Sequence, residues 1–306
     1  MVLVSLGRCL FKSGSVVQRT MTATQPYCSV VSSGRQRVNG VDLYYEQTGK
    51  GKHAVLLIPG ALGSTKTDFG PQLKSLNKER FTVVCWDPRG YGQSRPPDRD
   101  FPPDFFERDA KDAVDLMKTL GFGNFSLLGW SDGGITALIA AATNPALIKR
   151  LVVWGSNAFV SQEDLKLYNM VRDVSRWSAR MRQPMEEVYG AHGFAKTWEA
   201  WVDGIAQFAK KPGGSICREQ LPLISCPTLI VHGEKDPMVP SFHPQYLLKH
   251  IKGSRQENIS ELNNYMHLQL IICFSSLNAD CIPCQKENIT SICGMLTSST
   301  NWLKTF

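Results

Sequence analysis

The sequence predicts an α/β protein: a mainly parallel sheet with helices on both faces and a helical cap inserted between two of its strands. Three observations predict it. Short, fully apolar runs alternate with helical segments along most of the chain, as strands buried on both faces require. One of these runs, Phe125 to Trp130, passes into an Ala-rich helical stretch with almost no loop. The interval from about Ser161 to Gly214 carries no strand pattern, yet it holds Trp177, Trp198 and Trp201 together with several Met and Tyr residues.

Taken in order, Arg37 to Thr48 alternates around Asn39-Gly40, the pair that favours a two-residue hairpin turn. Ala54 to Ile58 is a short buried strand ending in Pro59-Gly60, and a polar helical stretch, Asp68 to Asn77, follows. Phe81 to Asp87 reads as a second buried strand running into the loop PRGYGQSRPP. Asp104 to Leu120 places Phe105, Phe106, Ala110, Ala113, Val114 and Met117 at helical spacing. Phe125 to Trp130 is the third strand, Asp132 to Asn144 a helix stopped by Pro145, Arg150 to Gly155 the fourth strand and Pro227 to Gly233 the fifth.

Composition narrows the function class. With 306 residues, 42% hydrophobic and 20% charged, the chain is an ordinary globular one. A chain of this length buries about 75% of its unfolded surface. No apolar run approaches the roughly 18 residues of a bilayer span, so a soluble protein without a membrane partner is expected. The net charge of +7 is concentrated: Arg8, Lys12, Arg19, Arg35 and Arg37 lie in residues 1–41, which contain no Asp or Glu. The remainder is close to neutral and has no nucleic-acid footprint. Basic, hydroxyl-rich and acid-free, residues 1–36 are expected to be a mitochondrial presequence, the alternative being a disordered tail.

Nine cysteines are present. Cys85, Cys217 and Cys226 lie in or beside apolar runs and read as buried thiols, whereas Cys273, Cys281, Cys284 and Cys293 crowd the carboxyl end. No disulfide framework is expected in so long a chain, which points to a reducing compartment. Cys281 and Cys284 are spaced Cys-x-x-Cys, but no second pair completes a zinc site, so neither metal nor cofactor is expected.

The chemistry is carried by Gly129-Trp130-Ser131-Asp132-Gly133, a Gly-x-Ser-x-Gly motif between a strand and a helix. A strand turning abruptly into a helix strains the central residue and lifts its Oγ above the sheet, near the positive end of the helix. Ser131 is therefore the expected nucleophile. Such a serine needs a base, and the base an orienting acid further along the chain. Asp236, directly after the fifth strand, is the expected acid, with Glu234 its rival. An oxyanion hole needs two backbone N–H groups. Asp132 is expected to supply one, and the loop Pro59-Gly60-Ala61-Leu62-Gly63-Ser64 the other, from Leu62 in preference to Ala61.

The segments IPGALGS, WDPRGYGQSRPP, LLGWSDGGITALIAAA and VHGEKDPMVP together resemble the biphenyl hydrolase-like (valacyclovir hydrolase) family, within the α/β-hydrolase fold, from about Val38 to Arg255. The resemblance implies a serine hydrolase that cleaves amino-acid esters, including ester prodrugs, without a cofactor and in a mitochondrial setting. It implies Ser131 as nucleophile, Asp236 as acid and the Asp132 side chain as the group that binds the substrate amine. The chain divides accordingly into a core at 37–160, a cap at 161–214, a second core segment at 215–255 and a divergent tail at 256–306.

After Arg255 the resemblance stops. Relatives continue with a last strand, a Gly-Lys-His turn bearing the catalytic histidine, a second histidine three residues later, and a closing helix. Here Asn264 stands at the catalytic position and His267 at that of the second histidine. Asparagine cannot act as a general base near neutral pH, so His267 is the candidate base. His53, His192, His232, His243 and His250 read as structural or cap histidines. Two alternatives remain: a scaffold of this fold that binds without turnover, and a hydrolase of carbon–carbon bonds. The acidic Asp132 argues against the second, because ring-fission substrates are anionic. No Gly-x-Gly-x-x-Gly follows the first strand, which excludes a dinucleotide site. The expected partner is a small-molecule ester, and the expected state a monomer.

Overall fold

The computed structural model describes residues 31–259. The Asn39-Gly40 pair does form the tight turn of a hairpin, with φ of 45° and 84°, between β1 (Ser32–Val38) and β2 (Val41–Thr48). β1 corrects one sequence boundary. It begins at Ser32, so the last residues assigned to the presequence, 32–36, are sheet residues paired with β2. Arg35 and Gln36 escape a strand reading because β1 is an exposed edge strand with little apolar alternation.

The strands β3 (His53–Ile58), β4 (Phe81–Trp86), β5 (Phe125–Trp130), β6 (Ile148–Trp154), β7 (Thr228–Gly233) and β8 (Arg255–Ile259) join β1 and β2 in one sheet among the described residues. Its order is β1-β2-β4-β3-β5-β6-β7-β8. Pairing is antiparallel for β1–β2 and β2–β4 and parallel from β4 to β8. The central strands are buried on both faces, and alternate residues divide between two packing layers. Leu56, Ile58, Val84, Trp86, Leu127, Leu151, Val153 and Ile230 face one layer. Val55, Leu57, Val83, Cys85, Leu128, Val152, Trp154, Leu229 and Val231 face the other, against Phe69, Leu73 and Leu76.

β8 is a second correction. The divergent stretch carries no pattern that predicts the sheet's last strand, yet Gln256 to Ile259 pair in parallel with Ile230 to Gly233. Backbone pairing needs only an extended chain, so polar residues complete a sheet edge without an apolar pattern.

Among the helices, α1 (Gly70–Ser75) is shorter than the polar stretch suggests, because Asp68 is drawn inward as a buried hydrogen-bond acceptor. α2 (Phe105–Thr119) and α3 (Asp132–Thr143) pack together beside the sheet. The segment between β6 and β7 contains α4 (Gln162–Met170), α5 (Ala179–Tyr189) and α6 (Ala191–Ala206). Its two ends meet in a narrow stem, where Val160 N–H donates to the Gly214 carbonyl (2.9 Å) and Phe159 bridges Ser215. Trp177, Trp198 and Trp201 stack edge to face or tilted within it, with centroids 4.7–4.8 Å apart, and Phe194 and Tyr168 extend the cluster. α7 (Phe242–His250) then leads from the Asp236 loop to β8.

Candidate active site

Ser131 adopts φ 53° and ψ −122°, a conformation unfavourable for any residue with a side chain. The surroundings impose it. Ser131 N–H donates to the Trp154 carbonyl on β6 (2.9 Å), while its own carbonyl accepts from Gly134 N–H (2.8 Å), Ile135 N–H (3.2 Å) and the Ser156 hydroxyl (3.0 Å). The flanking glycines are a steric necessity. A Cβ on Gly129 would overlap the Gly133 carbonyl, and one on Gly133 would overlap the carbonyl of Ile58 on β3. The abrupt strand-to-helix turn is built as its sequence motif predicts.

The glycine loop after β3 reaches the same point. A Cβ on Gly60 would lie 3.3 Å from Ser131 Cβ, so this loop passes directly beside the nucleophile. It is held from below by two buried acids. Asp68 accepts from Gly60 N–H (2.9 Å) and the Thr67 hydroxyl (2.6 Å), and Asp87 accepts from Thr65 N–H and Gln93 N–H (both 2.7 Å). Burial raises both carboxyls, that of Asp68 to about 6, against the opposing effect of these hydrogen bonds. Leu62, in the middle of the loop, is fully buried with φ 56°. Ala61, its neighbour, is not in the left-handed region.

Asp236 is half-buried in the turn after β7. Its Oδ1 accepts from Met238 N–H (2.9 Å) and Val239 N–H (3.0 Å). Its Oδ2 lies across from Gly155, at the end of β6, and makes no hydrogen bond among the described residues. One carboxylate oxygen is thus fixed and the other left open at the sheet edge that carries Ser131. Glu234, the rival, is exposed.

From sequence, Asp132 is either an amine-binding group or an acid favouring the first turn of its helix. Its side chain faces the cap, where Oδ2 accepts from the Trp201 indole N–H (2.6 Å). Burial raises its carboxyl to about 7, opposed by that hydrogen bond and by the nearby Arg99 cation. Arg99 is itself buried, paired through its two terminal nitrogens with Asp109 (2.8 and 2.6 Å) and stacked over Tyr91 at 4.5 Å. Trp201 and Arg99 are site residues that sequence reasoning does not single out. Trp201 stands inside the tryptophan-rich cap, but nothing in its spacing points to Asp132.

The histidines sort by position. His53 lies at the amino end of β3, the edge remote from Ser131, beside the Ser126 hydroxyl (2.7 Å). His232 is buried inside β7, and burial lowers its pKa. His243 is fully buried against both carboxylate oxygens of Asp164 (2.9 and 3.0 Å), an acid that also caps α4 through Ser161. His250 contacts the Tyr246 carbonyl, and His192 sits at the start of α6. His232, His243, His250 and His192 make no hydrogen bond to Ser131 or Asp236 among the described residues. The candidate base His267, Asn264, the cysteines of the tail and the presequence up to Val30 lie outside the described residues. Cys85, Cys217 and Cys226 are free and buried, as expected.

A mostly parallel sheet carrying a strained serine at a strand-to-helix turn, beneath a helical cap, defines a hydrolase of the α/β-hydrolase fold. The family model for that fold matches residues 53–188. Serine hydrolase BPHL of Mus musculus is 61% identical over 252 residues, covering 82% of this chain and 87% of that protein. The Homo sapiens protein of the same name is 62% identical over 250 residues, covering 82% and 86%. The chain belongs to this serine hydrolase family. A solved serine hydrolase involved in carbazole degradation superposes with a TM-score of 0.64 at 22% identity, covering 81% of this chain and all of that one.

Proposed function

We propose that the protein cleaves esters of α-amino acids by acyl transfer through Ser131. In this reading the Ser131 Oγ attacks the ester carbonyl carbon and passes its proton to a histidine, for which His267 is the candidate. The Leu62 and Asp132 backbone N–H groups hold the oxyanion. Collapse expels the alcohol, which takes the proton from the imidazolium. Water then attacks the acyl-serine by the same route and releases the amino acid. Asp236 orients the histidine through its open Oδ2.

The observation that carries the substrate class is the Asp132 carboxyl, buried beside the nucleophile and, among the described residues, accepting from one donor, the Trp201 indole. A negative charge about 5 Å from a developing oxyanion opposes it by roughly 3 kcal/mol at an effective dielectric near 20. A substrate ammonium cancels that repulsion, and its charge-assisted hydrogen bond contributes about 1.5–3 kcal/mol. Anionic ring-fission substrates would meet the repulsion undiminished, which disfavours the carbon–carbon hydrolase.

The test compares an α-amino ester with its N-acetylated form, alongside Ser131→Ala, Asp132→Asn and His267→Gln. Turnover should vanish in Ser131→Ala, and the preference for the free amine should vanish in Asp132→Asn. Retention of full turnover by His267→Gln would assign the base elsewhere, and absence of turnover in the unaltered chain would favour the impaired scaffold. The acid-free amino-terminal stretch supports a mitochondrial address, which import and cleavage by isolated mitochondria would test.

A further inference from the structure

The residue proposed as one oxyanion donor is anchored through its other peptide group. The Leu62 carbonyl accepts a buried hydrogen bond from the Tyr189 hydroxyl at 2.7 Å. The same hydroxyl accepts from Gly92 N–H at 3.1 Å, so it both donates and accepts. Tyr189 is the last residue of cap helix α5, whereas Leu62 and Gly92 belong to two separate core loops. One hydroxyl therefore joins three segments.

Arg95 braces the junction. Its Nε donates to the Gly92 carbonyl (2.9 Å), its Nη2 donates to the Val188 carbonyl (2.7 Å), and its guanidinium lies 4.7 Å from the centre of the Tyr189 ring. Burial raises the Tyr189 pKa far above its ordinary value, so the phenol keeps its proton and remains a donor.

This arrangement bears on the direction of the Leu62 N–H. The dihedrals φ and ψ together relate the N–H plane of a residue to its carbonyl plane, and Leu62 holds φ at 56°, which disfavours a residue with a side chain. Holding the carbonyl in place while φ stays in this strained region narrows the directions open to the N–H. Without the hydroxyl, the Leu62–Gly63 peptide keeps the bond from Gly63 N–H to the Gly60 carbonyl (3.0 Å) but loses its tie to the cap. The cap thus grips the proposed oxyanion hole on both sides: α5 through Tyr189 and Leu62, and α6 through Trp201 and the Asp132 side chain.

We propose that Tyr189 is a positioning residue for the oxyanion hole, a hydroxyl strut from the cap that aims the Leu62 N–H. The inference rests on the oxyanion role proposed for Leu62.

The test is Tyr189→Phe in the full chain, which keeps the ring against Arg95 and removes only the hydroxyl. Amide hydrogen exchange should quicken about ten-fold or more in the peptide spanning residues 60–66, with α2 and α3 unchanged. With an α-amino aryl ester, kcat should fall by about ten- to a hundred-fold while KM stays within about two-fold, because the loss is confined to the transition state. Unchanged exchange at 60–66 would overturn the strut. Quickened exchange with an unchanged kcat, or a rise in KM alone, would overturn its role in positioning. If Tyr189→Phe does not fold, Arg95→Met keeps the hydroxyl and removes the brace. It is read by the same two measurements, with an expected fall in kcat of about three-fold. Turnover that persists in Ser131→Ala identifies failure of the parent reading and removes the catalytic half of this one, while the exchange result still judges the strut.

Discussion

Asp132 carries two demands on one residue. Its N–H is placed to receive negative charge in the proposed reaction, and its side chain carries negative charge of its own. Burial resolves the conflict by raising the carboxyl to about 7, so that in the free protein it is only partly ionised at neutrality. A cationic substrate would complete the ionisation. The ratio of kcat/KM for an α-amino ester to that for its N-acetyl form should therefore rise with pH as Asp132 ionises, then fall as the substrate amine loses its proton at about 7.7–8.0. Taking the ratio cancels the titration of the shared base. Asp132→Asn should flatten the rising limb, and a ratio level across this range in the unaltered protein would remove Asp132 from amine recognition. The sequence discloses Asp132 because it adjoins the serine. It does not disclose Trp201, 69 residues away, since that contact exists only once the cap is seated.

At the scale of elements, legibility follows the source of each element's stability. β3 to β7 are buried on both faces, and each is visible as an apolar run within a residue or two of its bounds. β1 and β8 are held by backbone pairing at the sheet edges, which leaves no apolar pattern to read. α3 illustrates the opposite case, where sequence and packing agree in detail. Its first turn lies so close to β3 that Gly133 has no room for a methyl group against Ile58 and Pro59. Gly133→Ala should cost at least about 2 kcal/mol, read from the urea midpoint, since the obstruction is backbone and cannot rotate away. Gly123→Ala, where an added Cβ meets nothing within 4 Å, is the control and should stay within about 0.5 kcal/mol. Equal midpoints for the two variants would show that the strand–helix approach is looser than the geometry requires.

Over the whole molecule, cap and core are joined by buried polar contacts: Tyr189 to Leu62 and Gly92, Trp201 to Asp132, and His243 to Asp164. None can be read from local spacing, because each pairs segments far apart in the chain. The buried acids also give the molecule an unusual dependence on pH. Asp68 and Asp132 are raised from the ordinary carboxylate value of 3.8 to about 6 and about 7. Between those limits the native state holds protons that the unfolded chain has released, so their contribution to stability is present at low pH and lost as pH rises through neutrality. His53 and His232, lowered by burial, act in the opposite sense: their contribution is lost as pH falls below about 6.5. The net melting profile therefore cannot isolate either class, but a substitution can. Asn at position 132 mimics the protonated acid and can still accept from Trp201. Asp132→Asn should melt above the unaltered protein by a margin that grows steadily from pH 5 to pH 8, since the acid's contribution begins to be lost above its unfolded value of 3.8 and each tenfold change in proton affinity on folding corresponds to about 1.4 kcal/mol. Equal displacement at both pH values would mean that the Asp132 carboxyl ionises as freely in the fold as in water, and burial of this acid would then give no electrostatic preference for a cationic substrate.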